Sequence, residues 1–279
     1  MAEPTRSRPG LILVLAAAIG ALAWVGWVQA RPLSAPLPDR VFLEELTWVE
    51  VRELVKAGRA TVIVPTGGTE QNGPHVALGK HNAIVRHTAA EIARRLGDAV
   101  VAPVLPYTPE GSIQPATGHM PFAGTISLPP PQFEAALEAI VRSLAAHGFT
   151  TICLLGDSGD SQQSQAAVAA RLDAEWRGRV RVIQVGDYYY ANGQMEWLEG
   201  QGESKAAIGT HSGIRDTSET MAVRPDMVRP DRMARDGGRF GEPTGVAGDP
   251  TRASAERGER LLALKIETAL RQIRRERGH

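Results

Sequence analysis

Short apolar runs alternate with longer stretches whose apolar residues recur at helical spacing. The short runs predict buried strands at 61–65, 99–103, 150–155 and 179–185. The helical periodicity predicts helices at 46–57, 82–96, 133–147, 162–176 and 254–273. Strands that alternate with helices are typical of a parallel sheet covered on both faces. The chain is therefore predicted to be α/β, with a three-layer αβα arrangement and a mostly parallel sheet.

The first 30 residues follow a different pattern. Arg6 and Arg8 precede an apolar run that ends at Val28-Gln29-Ala30, a small-residue pattern compatible with signal cleavage. The run is also nearly long enough to cross a bilayer uncleaved. Residues 1–30 are thus predicted to be a signal peptide or an N-terminal membrane anchor. Residues 31–45 are predicted to be a linker, and residues 46–279 the α/β domain.

The basic flank of this segment predicts where the domain lies. Because positive flanks stay in the cytoplasm, the rest of the chain is expected on the other side of the membrane. We therefore expect an extracytoplasmic protein, either periplasmic or secreted from a bacterium, or anchored to the inner membrane by residues 1–30. Contact with a membrane is expected only through this segment, if it stays uncleaved.

Composition excludes several classes of protein. The chain has 31 basic and 31 acidic residues, so no net charge favours nucleic acid as a partner. Cys153 is the single cysteine, which rules out an intrachain disulfide and a cysteine-based zinc site.

A polar loop, TGGTEQNGPHVALGKH at residues 66–81, follows the first predicted strand. It contains Glu70, Asn72, His75 and His81. Open α/β sheets place ligand sites at the carboxyl ends of their strands, and Glu and His are side chains that hold Zn or Mn. The loop is interpreted either as part of a metal site or as a polar turn with two solvated histidines.

A second polar turn follows the strand predicted at 150–155. It reads Gly156-Asp157-Ser158-Gly159-Asp160-Ser161-Gln162, and it would bring two carboxylates to the same edge of the sheet as Glu70. Alternatively, Asp160 or Ser161 caps the helix that begins at Gln162.

The loop at 66–81 resembles the signature of the creatininase (creatinine amidohydrolase) family, G-x-x-E-Q-H-G-P-H-L-P-L-x-x-D. Glu70 matches the metal-binding Glu of that pattern. Asn72 stands in place of a metal-binding His, and His81 in place of the Asp that bridges two metals. In the second turn, Ser158 replaces another His of the family, whereas Asp160 matches an acidic ligand found in some variants.

Two further stretches are similar to the same family, in the same order along the chain. GHMPFAGTISL at 118–128 resembles H-x-x-F-P-G-T-x-S-L, with His119 and Thr125 matching. THSGIRDTSE at 210–219 resembles H-A-G-x-x-E-T-S, with His211 matching and Asp216 in place of the Glu. The resemblance covers nearly all of the chain after residue 45.

The resemblance implies a metal-dependent amidohydrolase that cleaves the C–N bond of a small amide, cyclic or not. It implies metal binding by Glu70, His81, Asp160, Asp157 and, weakly, Asn72. Glu70 and His211 would be catalytic, with His211 as acid/base or holding a neighbouring group. Substrate contacts would come from His119, Thr125, Ser158 and Asp216, although His119 could instead fix its loop and Asp216 orient the next helix.

The expected cofactor is one Zn or Mn ion, or Fe, per chain, and the family also implies a homo-oligomer. A second hypothesis is a non-catalytic extracytoplasmic binding or scaffold protein on the same fold. The loss of a metal-binding His at Ser158 favours this alternative. His81 and the two aspartates of the second turn argue against it, because drift would not supply new ligand types around one site.

Overall fold

The computed structural model describes residues 40–233 and 243–278. The predicted signal or anchor segment, residues 1–30, and most of the predicted linker lie outside these residues. Residues 40–45 of that linker belong to the folded domain, because Val41 is buried and Phe42 forms a bridge with Val101. Among the described helices, none is both apolar and long enough to cross a bilayer.

The sheet of the described residues is parallel throughout, as the sequence predicts. It contains β1 (Thr61–Thr66), β2 (Ala99–Val101), β3 (Thr151–Gly156) and β4 (Arg181–Gln184), in the order β2-β1-β3-β4. The two central strands, β1 and β3, pair along their full length from Thr61↔Thr151 to Thr66↔Gly156. Their carboxyl ends therefore lie side by side.

Five of the α-helices in the described residues were predicted, with small shifts at their ends, whereas the four between Asp187 and Val223 were not. The α-helices are α1 (Trp48–Lys56), α2 (Lys80–Leu96), α3 (Pro130–Ala146), α4 (Gln162–Trp176), α5 (Asp187–Tyr190), α6 (Gln194–Gly200), α7 (Lys205–Ile208), α8 (Ile214–Val223) and α9 (Ala255–Arg277). Short 3₁₀ turns lie at Leu43–Glu45, Pro225–Met227, Pro230–Arg232 and Pro250–Arg252. Residues 102–129 contain neither helix nor strand.

Each face of the sheet is covered by helices, which confirms the three-layer prediction. Successive side chains of a strand point to opposite faces. Ile63 packs with residues of α2 and α9 on one face. Val62 and Val64 pack with α1, α3 and α4 on the other. Both sides of each strand are apolar because both are buried.

One shift matters for function. α2 begins at Lys80, two residues before the predicted start, with Gly79 as its N-cap residue. Lys80 and His81 are therefore residues of the first helical turn and not of the preceding loop. Both side chains are buried, on the side where the loop after β1 contains Glu70.

The packing of α8 on α9 depends on Gly258. A Cβ atom at this position would lie 1.9 Å from the Ser218 carbonyl oxygen and 2.9 Å from the Ala222 Cβ. Backbone atoms cannot yield as a flexible side chain can, so a larger residue must push the two helices apart.

We expect Gly258→Ala to lower the free energy of unfolding by about 1–3 kcal/mol or more, because the methyl group overpacks the interface of α8 and α9. Urea unfolding measures the change. Gly200→Ala is the matched control, since Gly200 ends α6 and nothing lies within 4 Å of its added Cβ. Equal midpoints for the two variants would contradict this account of the packing.

Candidate functional site

A cavity of about 330 Å³ lies at the carboxyl ends of β1 and β3. This is the edge at which open α/β sheets bind ligands. Eight of the ten site residues predicted from the sequence line it: Glu70, His81, His119, Asp157, Ser158, Asp160, His211 and Asp216.

Glu70 is the centre of the site and is only 2% exposed. Its Oε1 lies 2.9 Å from His81 Nε2 and 3.5 Å from Lys80 Nζ, and its Oε2 lies 3.2 Å from His119 Nε2. Burial alone would raise the pKa of this carboxyl. The positive charges of His81 and Lys80 outweigh burial and hold the pKa well below its usual value. Glu70 is therefore ionised.

Glu70, His119 and His211 form a group with the donors of a metal site. One ligand atom from each lies within 4.8 Å of the others. Burial is the main cause that lowers the pKa of His119 and His211. For His211 the pKa falls to about 3. Both imidazoles are therefore neutral near pH 7, which is the form that binds metals.

His211 presents a lone pair to this group. Its Nε2–H donates to the backbone oxygen of Gln71 at 2.9 Å. The proton of the neutral ring is thus on Nε2, and the unprotonated Nδ1 lies 3.7 Å from Glu70 Oε1. A backbone acceptor that orients a histidine in this way is typical of metal-binding histidines.

His119 is held in the same tautomer as His211, but its protonated nitrogen is the one that faces Glu70. The amide of Gln71 is oriented by two backbone groups: its Oε1 accepts from Gly73 N–H at 2.9 Å, and its Nε2 donates to Gly245 O at 3.0 Å. The same Nε2 donates to His119 Nδ1 at 3.1 Å. The ring proton is therefore on Nε2, facing Glu70. A cation could bind Nε2 only if this proton moved to Nδ1 and Gln71 released its bond.

The group nevertheless fits one divalent cation. A carboxylate with two imidazoles is a donor set of catalytic zinc sites, in which the open position takes water or substrate, and imidazole and carboxylate oxygen also suit Mn. Glu70 and His211 already present electron pairs, whereas His119 needs both the shift of its proton and the release of its bond to Gln71.

His81 is held between two carboxylates. Its Nε2 lies 2.9 Å from Glu70 Oε1, and its Nδ1 lies 2.7 Å from Asp157 Oδ2. Burial and the charge of Lys80 oppose its protonation, but Glu70 and Asp157 raise its pKa to about 9. In this arrangement both ring nitrogens carry protons and donate, to Glu70 and to Asp157.

Both carboxylate oxygens of Asp157 accept hydrogen bonds. Its Oδ1 accepts from Lys265 Nζ at 2.5 Å and from the Tyr188 hydroxyl at 2.7 Å. Burial acts to raise the pKa of Asp157, but Lys265 and then His81 hold it well below its usual range. In this geometry Asp157 forms ion pairs with two cations, His81 and Lys265.

Lys80 neutralises the other side of the site. Its Nζ lies 2.5 Å from Asp216 Oδ2, which also accepts from the backbone N–H of Ser212 at 2.8 Å. Burial acts against its charge, but Asp216 and Glu70 raise the pKa of Lys80. In this cluster three buried cations face three ionised carboxylates: Lys80, His81 and Lys265 face Glu70, Asp157 and Asp216.

Two predicted site residues lie outside the cavity lining. Asn72 is buried, and its amide nitrogen donates to the Glu70 backbone oxygen at 2.9 Å, so this side chain holds the loop. Thr125 Oγ1 accepts from Gln71 N–H at 3.1 Å and also fixes the backbone.

Asp160 lines the cavity and is exposed. The metal and catalytic roles assigned from the sequence stay predictions.

Sequence reasoning missed several charged residues of this region, among them Lys80, Glu110 and Lys265. The sequence does indicate that Lys265 is buried, because it lies on the apolar stripe of α9 between Leu261 and Ile266. A charge on such a stripe predicts a buried partner. Glu110 lies in the irregular segment 102–129, where no periodicity shows which side chains point inward.

Glu110 is a buried carboxylic acid next to the site. It is 0% exposed, and its Oε1 accepts from Thr108 Oγ1 at 2.6 Å and Ser158 Oγ at 3.2 Å. Burial, followed by the negative charge of Glu70, raises its pKa to about 9. Glu110 is therefore protonated near pH 7.

The comparisons with known proteins agree with this geometry. The family model for creatininase, described as creatinine amidohydrolase, matches residues 44–273. The chain therefore belongs to the creatininase family, which confirms the resemblance seen in its motifs.

Two curated relatives are hydrolases by name. The chain is 28% identical over 258 residues to a creatinine amidohydrolase of Pseudomonas putida, covering 85% of this chain and 97% of that protein. It is also 28% identical over 234 residues to a mycofactocin precursor peptide peptidase of Mycolicibacterium smegmatis, covering 77% and 84%. Both names describe hydrolysis of C–N bonds.

A solved structure named creatininase Mn has the same fold. Its TM-score is 0.69 at 26% identity, and the match covers 85% of this chain and 99% of that one. The family relationship, the parallel sheet and the Glu/His/His group thus agree on a hydrolase fold with a metal-type site.

The buried acid of Glu110 predicts a pH dependence of stability. The folded state keeps this proton up to about pH 9, whereas the unfolded chain loses it near 4.5. Between these values the folded state binds more protons, so the contribution of Glu110 to stability is lost as the pH rises. Glu110→Gln should remove this slope, which is at most about 1.4 kcal/mol per pH unit.

Urea unfolding between about pH 5 and about pH 8 measures the effect, because this range lies within the interval set by the two pKa values. The variant should gain stability over the natural protein as the pH rises. Exposed Glu259→Gln, on α9, is the matched control and should leave the slope as it is. Parallel curves for Glu110→Gln and the natural protein would show that Glu110 is ionised when folded.

Proposed function

We propose that the protein is a metal-dependent amidohydrolase that cleaves the C–N bond of a small amide with water. The observation that carries this proposal is the Glu70, His119 and His211 group, buried in a cavity at the carboxyl edge of the sheet. Membership of a family whose named members cleave C–N bonds supports the same reaction.

In this proposal Glu70, His119 and His211 hold one Zn or Mn ion per chain. When bound in such a site, the metal acidifies a water molecule and polarises a carbonyl group. Glu70 contributes a negative charge that its neighbours keep ionised at neutral pH. His211 contributes a neutral ring, whose orientation is fixed by the backbone oxygen of Gln71.

The buried cations favour one metal over two. Lys80 and His81 both lie within 3.5 Å of Glu70 Oε1, on the opposite carboxylate oxygen to His119. Their charges already balance the nearby carboxylates, and a second divalent ion would lie against two like charges. A single ion beside the neutral imidazoles meets less of this repulsion.

Asp160 is the proposed proton carrier. It lines the cavity, and within the described residues it has no hydrogen bond or ion pair. Partial desolvation raises its pKa, which makes it a better proton donor to a leaving nitrogen. His211 is less suited to this role, because its remaining proton is bound to the Gln71 backbone oxygen.

The location and the assembly of the protein are proposed from the sequence and the family resemblance, not from the geometry of the site. The arginines and apolar run of residues 1–30 support a signal peptide or anchor, and hence a domain from residue 46 onward that is periplasmic, secreted or tethered to the inner membrane. A homo-oligomer is proposed from the family resemblance alone.

Metal content tests the function. The purified protein should contain about one equivalent of Zn, Mn or Fe by elemental analysis, because its neutral imidazoles and ionised carboxylate form a complete donor set. His119→Ala and His211→Ala should lose this metal. Exposed His147→Ala, in the turn after α3, is the matched control and should keep it.

Asp160→Asn separates the proposed roles. It should retain the metal and lose amide hydrolysis if Asp160 carries a proton, whereas loss of the metal would make it a ligand, as the sequence predicts. If the natural protein binds no metal even after incubation with Zn or Mn, the hydrolase proposal is wrong. The fold would then serve the alternative function, extracytoplasmic binding without catalysis.

A further inference from the structure

Arg215 is a cation of the cavity that forms no ion pair with the part of the chain that the structure describes. It lies in the first turn of α8, lines the cavity and is partly buried. Within residues 40–233 and 243–278, its guanidinium makes no hydrogen bond and no ion pair. The other cations that line the cavity each contact at least one carboxylate: Lys80, His81 and Lys265.

The neighbouring carboxylate, Asp216, attracts Arg215 through its charge, but no hydrogen bond or ion pair joins the two side chains within the described residues. Asp216 follows it in the sequence, but its Oδ2 is engaged by Lys80 Nζ and by the Ser212 N–H. A partly buried charge without a partner loses solvation and gains no contact in return. A group that costs free energy in the empty protein is expected where a ligand supplies the missing charge.

Tyr189 provides a second donor to the same cavity. Its ring lines the cavity, and a Cβ atom on Gly159 would lie 2.6 Å from its hydroxyl oxygen. No hydrogen bond to this hydroxyl occurs within the described residues. Burial raises the pKa of Tyr189 to about 12, so the phenol stays neutral and can donate its proton in a hydrogen bond.

We propose that Arg215, together with the Tyr189 hydroxyl, binds a carboxylate of the substrate, which makes the substrate class amides that carry an acidic group. The planar guanidinium matches a carboxylate in geometry as well as in charge. The reaction named here rests on the proposed amidohydrolase function. The carboxylate site itself does not.

Pairs of acids and amides of equal size test the proposal. Malonamate, succinamate and glutaramate each carry one amide and one carboxylate, and malonamide, succinamide and glutaramide replace that carboxylate by a second amide. The three lengths sample the span between the metal group and Arg215. Calorimetry measures binding of each pair, and ammonia release measures hydrolysis.

At least one acid should bind about tenfold or more tightly than its diamide, because a charge-assisted bond replaces a neutral one. In Arg215→Gln this ratio should fall toward one, and Arg215→Lys should give an intermediate ratio. Tyr189→Phe should reduce the ratio partly. Arg224→Gln, which removes a positive charge at the other end of α8, outside the cavity lining, should retain it.

A bound metal could attract the carboxylate as well, so the ratios are measured with and without EDTA. A preference that disappears with EDTA and persists in Arg215→Gln would belong to the metal and would overturn the proposal. Equal binding of acid and diamide at every length, or no binding of any acid, would overturn it too. A preference that depends on Arg215, without hydrolysis of any amide, would instead count against the hydrolase function alone.

Discussion

The site depends on the neutralisation of carboxylates that have been removed from water. A buried charge is tolerated only when it is paired and hydrogen-bonded. Here the pairs form a chain in which Glu70, His81, Asp157 and Lys265 follow one another at 2.9, 2.7 and 2.5 Å. The two loops after the central strands, the first turn of α2 and the middle of α9 are therefore held together by one set of charges.

This arrangement also explains how the chain departs from its family without losing a polar site. In the family pattern that the loop at 66–81 resembles, a carboxylate stands where His81 is found. The imidazolium of His81 reverses the sign of the charge at that position. Asp157 and Glu70 then act as its partners, and in the proposed metal site Glu70 faces His119 through Oε2 and His211 through Oε1.

The sequence predicted the sheet and most of the helices because burial on both faces leaves a strong local pattern. It also predicted that Glu70, Asp157 and His211 would meet, since their motifs follow an ordered family pattern. It could not predict tautomers, because the proton of His119 is placed by Gly73 and Gly245 acting through Gln71. Nor could it predict Glu110, whose environment is set by contacts distant in sequence.

Gln71 contacts both histidines of the metal group. Its side chain donates to His119, its backbone oxygen accepts from His211, and its amide is tied to Gly245 in the segment that precedes α9. Whatever displaces the Nε2 proton of His119 must disturb the Gln71 amide, and with it the link to Gly245. Binding at the proposed centre would therefore reach a loop about 170 residues away in sequence through a single glutamine.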